Sequence, residues 1–126
     1  MNLIISIKPE FVAKIISKEK KYEFRRTIFK KNVDKIYIYS TSPEKRIVGY
    51  FKTSKIIEDT VDNLWKKCHK YAGISKESFF DYFKDKNKGF AIEISNLHIF
   101  DNPIDTKELD DFKAPQSFSY CDFEFT

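Results

Sequence analysis

The chain has 126 residues, 41% of them hydrophobic and 17% aromatic, with a formal net charge of +4. That supplies one packed core, which excludes a disordered tail, and leaves too little length for two ordinary domains. No apolar run approaches a membrane span, and Met1–Ile5 runs straight into Lys8 without a signal-peptide pattern. The expectation is a single domain over residues 1–126, cytoplasmic, with Cys68 and Cys121 both reduced.

In chain order, Leu3–Ile7 reads as a short buried strand. Pro9 then suits the first position of a helix, and Phe11, Val12, Ile15 and Ile16 recur at helical spacing, which predicts a helix over 9–18. A strand follows at about 21–26. Successive strand side chains point to opposite faces, so Tyr22 and Phe24 go to a core while Lys21, Glu23 and Arg25 share the other face. Lys20 and Arg26 stand at its ends. Lys35–Ser42 and Arg46–Ile57 form a hairpin about the Ser42-Pro43 turn, with Gly49 marking a bulge or a close backbone approach.

From Asp59 or Thr60, as cap, Val61, Leu64, Trp65 and Cys68 make the buried stripe of a helix. Gly73 ends it, Ser75 caps the next helix, and Phe79, Phe80 and Phe83 carry that one to the core. Lys88–Phe100 returns to strand alternation, Asn102-Pro103 marks a turn, 106–112 forms a brief helical turn, and 115–123 closes the fold as a last strand. The order β-α-β-β-β-αα-β-β lacks the regular alternation of a parallel sheet. It predicts an α+β fold: a mostly antiparallel or mixed β-barrel of about six strands flanked by helices.

Charge is unevenly spread along this order. Residues 1–35 hold 10 Lys/Arg against 4 Asp/Glu, whereas residues 101–126 hold 2 Lys against 7 Asp/Glu. A clustered basic region is the footprint of a nucleic-acid partner. The acidic C-terminal stretch reads as a solvated face, with a protein partner there as a weaker option. Cys68-His69 could be joined only by His98 and Cys121, too poor a set for a metal site, so neither metal nor organic cofactor is implied.

Ser6-Ile7-Lys8-Pro9 before a short helix, and then Lys20-Lys21-Tyr22-Glu23-Phe24-Arg25, together resemble the ASCH domain family of the PUA-like superfamily. Its motif is a glycine, one residue, Lys, two residues, Glu, one residue, Arg. Lys20, Glu23 and Arg25 match, and Lys18 stands where glycine is usual. The 37–43 hairpin and the 113–120 tail are similar to the small prokaryotic single-domain branch. The resemblance covers nearly the whole chain and implies a cleft suited to RNA or a nucleotide. Some members are amidohydrolases of acetylated cytidine, with a Thr nucleophile three positions after the motif Lys. Here that position is Glu23, which has no hydroxyl, so that chemistry does not carry over.

The candidate nucleic-acid site is therefore Lys20, Glu23 and Arg25, with Lys8, Lys21, Arg26, Ser40 and Gln116 around it. Arg offers phosphate a planar fork and Lys a mobile charge. Ser40 can donate a hydroxyl proton, and the Gln116 amide offers both donor and acceptor to a base edge. Glu23 either accepts from a base amino group or holds the flanking cations. Tyr22, Tyr37, Tyr39, Tyr120 and Trp65 are possible stacking platforms, most of them expected in the core. The first function expected is nucleic-acid binding, RNA foremost, in a basic cleft with a regulatory role. The alternative is a small hydrolase or ribonuclease acting on a nucleoside or RNA, with Lys20 and Glu23 as its acid–base pair.

Overall fold

The computed structural model describes residues 1–122, 124 and 125. Among these, eight strands and three helices run in the order β1 (Asn2–Ile7), α1 (Pro9–Ile16), β2 (Tyr22–Arg25), β3 (Ile36–Ser40), β4 (Arg46–Lys52), β5 (Ile56–Thr60), α2 (Val61–Cys68), α3 (Lys76–Tyr82), β6 (Lys88–Glu93), β7 (Ser95–Asp105) and β8 (Phe118–Cys121). The α+β class and mixed pairing match the expectation. The strands number eight rather than about six, and they fall into two sheets that are not closed into a barrel.

Two compact units emerge. The first holds Met1–Val12, Lys30–Lys52 and the chain from Asn96 onward. Its five-stranded sheet has the order β7-β4-β3-β1-β8, with β1 parallel to β3 and antiparallel to β8. The β3–β4 hairpin is antiparallel, and its register shifts between Ile38 and Tyr39, where Gly49 sits opposite Ile38. A Cβ at Gly49 would collide with the His98 carbonyl oxygen, so the expected bulge and the expected close approach both occur. Tyr37, Tyr39, Ile47 and Phe100 form one aromatic-rich core on this sheet, joined by Leu109 and Phe112 from the acidic stretch.

The second unit holds Ala13–Phe29 and Thr53–Ser95. Its three-stranded sheet is antiparallel with β6 central, between β2 and β5. Phe24 and Ala91 from one sheet face pack with Val61, Leu64, Cys68, Phe79 and Phe83. Thr60 and Ser75 cap α2 and α3 by accepting from the Asn63 and Ser78 amides, as their positions predict.

Several boundaries differ from expectation, and α1 ends at Ile16 where 18 was expected. The long strand read over 46–57 is broken at Thr53, whose hydroxyl donates to the Lys55 carbonyl (3.0 Å), and its two halves enter different sheets. The run 88–100 also divides, at Ile94, and Asn96 just beyond takes a left-handed φ of 49°. Asn102-Pro103, read as a turn, lies within β7. That strand is an edge of its sheet, where a residue without an N–H is tolerated. The last strand is confined to Phe118–Cys121, and Phe123, its expected end, lies outside the described residues.

Candidate nucleic-acid interface

Helix α1 stops at Ile16 and the chain turns back through Lys18, whose φ is 68°. Glycine adopts this left-handed conformation without penalty, so the position keeps its glycine geometry although a lysine occupies it. The turn is closed by the Lys20 amide donating to the Lys14 carbonyl (3.0 Å). It delivers Lys20 into the interior of the second unit, 4% exposed.

There the Lys20 ammonium donates to the Ala72 carbonyl at 2.9 Å, stands 3.7 Å from Glu23 Oε1, and lies 4.8 Å from the Phe24 ring centroid. Gly73 makes this seat possible. Its φ is 64°, and a Cβ there would come within 2.5, 2.8 and 3.0 Å of the Cβ, Cγ and Cδ of Lys20. Lys14 Nζ donates to the Gly73 carbonyl (3.3 Å) and fixes the same loop.

Strand alternation puts Glu23 and Arg25 on the sheet face opposite Phe24. Glu23 is 7% exposed. Its Oε2 accepts from Arg25 Nε at 3.1 Å and Nη2 at 2.6 Å. One carboxylate therefore holds an ammonium on one oxygen and a guanidinium on the other. The Lys20 pKa is lowered from 10.5, because burial outweighs the opposing pull of Glu23, with Arg25 and Lys14 adding smaller repulsions. A lysine so placed is suited to exchange a proton, and an arginine beside it to meet a phosphate.

The remaining sequence candidates are placed in two groups. Lys21 and Arg26 flank the cluster and are exposed, with Lys21 Nζ 4.2 Å from the Tyr71 centroid and Arg26 Cζ 5.4 Å from that of Tyr82. Lys8, Ser40 and Gln116 belong to the first unit. Ser40 pairs in register with Ile7, is fully buried, and donates to Glu44 Oε2 at 2.8 Å. Exposed Gln116 lies between Pro115 and Ser117, whose carbonyls accept from the Ser6 hydroxyl (2.6 Å) and amide (2.9 Å). Lys8, Ser40 and Gln116 thus gather at one end of the β1–β3 pair.

Of the stacking candidates, Tyr37 and Tyr39 are buried in the first core, Trp65 packs on Phe79, and the Tyr120 hydroxyl accepts from the Lys30 and Lys31 amides. Cys68 is in the core of the second unit, where burial pushes its thiol up to about 11, and Cys121 is buried in the core of the first. Sequence reasoning missed Lys14, Ala72 and Gly73. Gly73 was legible only as a helix stop, and nothing local marks a carbonyl partner 52 residues from Lys20.

No family model matches the chain. It is 32% identical over 128 residues to an ASCH domain-containing ribonuclease of Zymomonas mobilis, covering 98% of this chain and 86% of that protein. It is 30% identical over 102 residues to a Ureaplasma parvum protein named large ribosomal subunit protein uL22, of whose length the match covers 33%. A crystal structure of ASCH from Zymomonas mobilis superposes with a TM-score of 0.87 at 29% identity, covering 96% of this chain and 87% of that one. No helix among the described residues is long and apolar enough to cross a membrane. With a relative this similar along nearly its whole length, the chain belongs to the ASCH domain family.

Proposed function

We propose that the protein binds single-stranded RNA and cleaves it at the Lys20–Glu23–Arg25 cluster. The observation that carries this reading is a buried lysine with a lowered pKa, seated between a backbone carbonyl and a carboxylate that also clamps an arginine. Such groups need a task that justifies their desolvation, and proton transfer beside a phosphate is one. The relative of 32% identity that is named a ribonuclease supports the same choice.

In this mechanism neutral Lys20 removes the proton of a ribose 2′-hydroxyl. The 2′-oxygen attacks the adjacent phosphorus and the 5′-oxygen leaves, taking a proton from solvent, to give a 2′,3′-cyclic phosphate and a 5′-hydroxyl end. Arg25 stabilises the charge on the phosphoryl oxygens, and Glu23 orients both cations. Lys21 and Arg26, exposed in the same unit, contact the strand beyond the reacting nucleotide.

The test is cleavage and binding of short RNA, DNA and free nucleosides by the wild type, Lys20→Ala and Glu23→Gln across a salt series. RNA-specific turnover that Lys20→Ala abolishes is expected, with a log–log binding slope of about 0.7 per contacted phosphate. Full turnover in Lys20→Ala would overturn the mechanism, and a slope near zero would overturn the extended strand. The rate should rise with pH as Lys20 loses its proton. Lys14→Ala, which removes a nearby like charge, should move that limb to higher pH.

A further inference from the structure

The face of β2 and β6 that carries Glu23 and Arg25 continues past the cluster. Arg25 is the register partner of Phe90, so the two side chains share one face on strands about 4.8 Å apart. Beyond them opens a cavity of about 500 Å³ lined by Arg26, Asp85, Lys86, Asn87, Lys88 and Phe90. Three of the six lining residues are cations and one is an anion. All are exposed except the half-buried Phe90.

The lining is held in place from several sides. Arg26 lies on the Tyr82 ring, and Lys88 Nζ is drawn to Glu58 Oε2 at 2.6 Å. The turn that presents Lys86 and Asn87 is shaped by Asp85, whose φ is 67°, and by the Lys86 amide donating to the Phe83 carbonyl (2.9 Å). The result combines mobile and planar cations, an amide with both donor and acceptor, and an aromatic ring. Single-stranded nucleic acid is recognised by that combination: charge along the backbone, a stacking surface for a base, and an amide for its edge.

We propose that this cavity seats the nucleotide next to the two that flank the scissile phosphate at the Lys20–Glu23–Arg25 cluster, its phosphate on Arg26, Lys86 and Lys88, its base on Phe90, and its edge against Asn87. This rests on the RNA reading above and extends it to a defined third position. The protein would then favour substrates longer than a dinucleotide and would tolerate any base there, since every base has a face to stack.

The experiment measures the affinity of an eight-nucleotide single-stranded RNA relative to a dinucleotide for the wild type, Phe90→Leu and Lys86→Gln/Lys88→Gln. The expected result is a length advantage in the wild type that Phe90→Leu reduces about tenfold. The double lysine variant should also reduce it and lower the salt slope by about 0.7. Loss in the lysine variant alone would overturn the seated nucleotide in favour of bare phosphate contact, and no loss in either would overturn the site. A wild type that neither binds nor cleaves any RNA would instead overturn the parent reading, and this one with it. Both variants are checked for folding by thermal melting, so that an effect is read only from folded protein.

Discussion

The second unit contains two kinds of ion pair, and they differ in everything but charge. Lys67–Asp59 and Lys88–Glu58 meet at 2.6 Å on the surface, with side chains 54% and 21% exposed in the first pair and 65% and 50% in the second. Lys20, Glu23 and Arg25 have side chains only 3%, 9% and 11% exposed, and Lys20 stands 3.7 Å from its carboxylate. By distance alone the surface Lys67–Asp59 contact is the tighter lysine pair. By energetics the order reverses, because breaking an exposed pair returns both groups to water while breaking a buried one strands a charge. Such buried charged groups, kept where apolar ones would pack as well, are the ones that the proposed site uses.

The largest expected effect is that of Glu23→Ala. It leaves the Lys20 ammonium and the Arg25 guanidinium facing each other in the interior and should cost about 3–5 kcal/mol in denaturant unfolding. A cost below about 1 kcal/mol would place the cluster in the same class as the surface pairs. Gly73→Ala comes next, since it must hold a left-handed backbone and push its Cβ into the stem of Lys20. A loss of about 1–2 kcal/mol is expected, together with a raised Lys20 pKa as the ammonium moves toward water. Lys18→Gly sharpens the comparison from the other side, because it relieves a left-handed φ at an exposed position without touching the cluster. A gain of about 0.5–1 kcal/mol should appear as a higher melting temperature.

pH separates the two kinds of pair by window. Lys20 has a folded pKa below its unfolded value of 10.5, so the unfolded chain holds that proton more tightly. Its contribution therefore favours folding increasingly as pH rises through the interval below 10.5, and Lys20→Met should flatten that part of the stability curve. Asp59 follows the same sign at the acid end of the scale. Hydrogen bonds from Lys67, then Asn63 and the Thr60 amide, lower it to about 2, so its contribution is present above 3.8 and is lost as pH falls through about 2. Lys67→Ala should shift that acid loss upward, the smallest effect of the series.

The sequence made the charged face of β2 legible because alternation is a local property. Tyr22 packs on the core that holds Phe24, while Glu23 and Arg25 point away from it. The hairpin, the Thr60 and Ser75 caps and the close approach at Gly49 were readable for the same reason. What stayed hidden depends on distant chain. The burial of Lys20 is set by Ala72 and Gly73, and no pattern around residue 20 announces them. The breaks at Thr53 and Ile94 were also hidden, because continuous alternation does not reveal that two halves of a run join different sheets. Pro103 misled because a turn signal and an edge-strand proline look alike until the neighbour on one side is known to be missing.

The most direct test replaces the cluster by apolar groups of similar size, Lys20→Met/Glu23→Leu/Arg25→Met, and measures single-turnover cleavage of single-stranded RNA by the folded variant. If the cluster serves RNA chemistry and not the scaffold, the variant will melt at or above the wild-type temperature and cleave nothing. Cleavage at the wild-type rate by this variant would contradict the account.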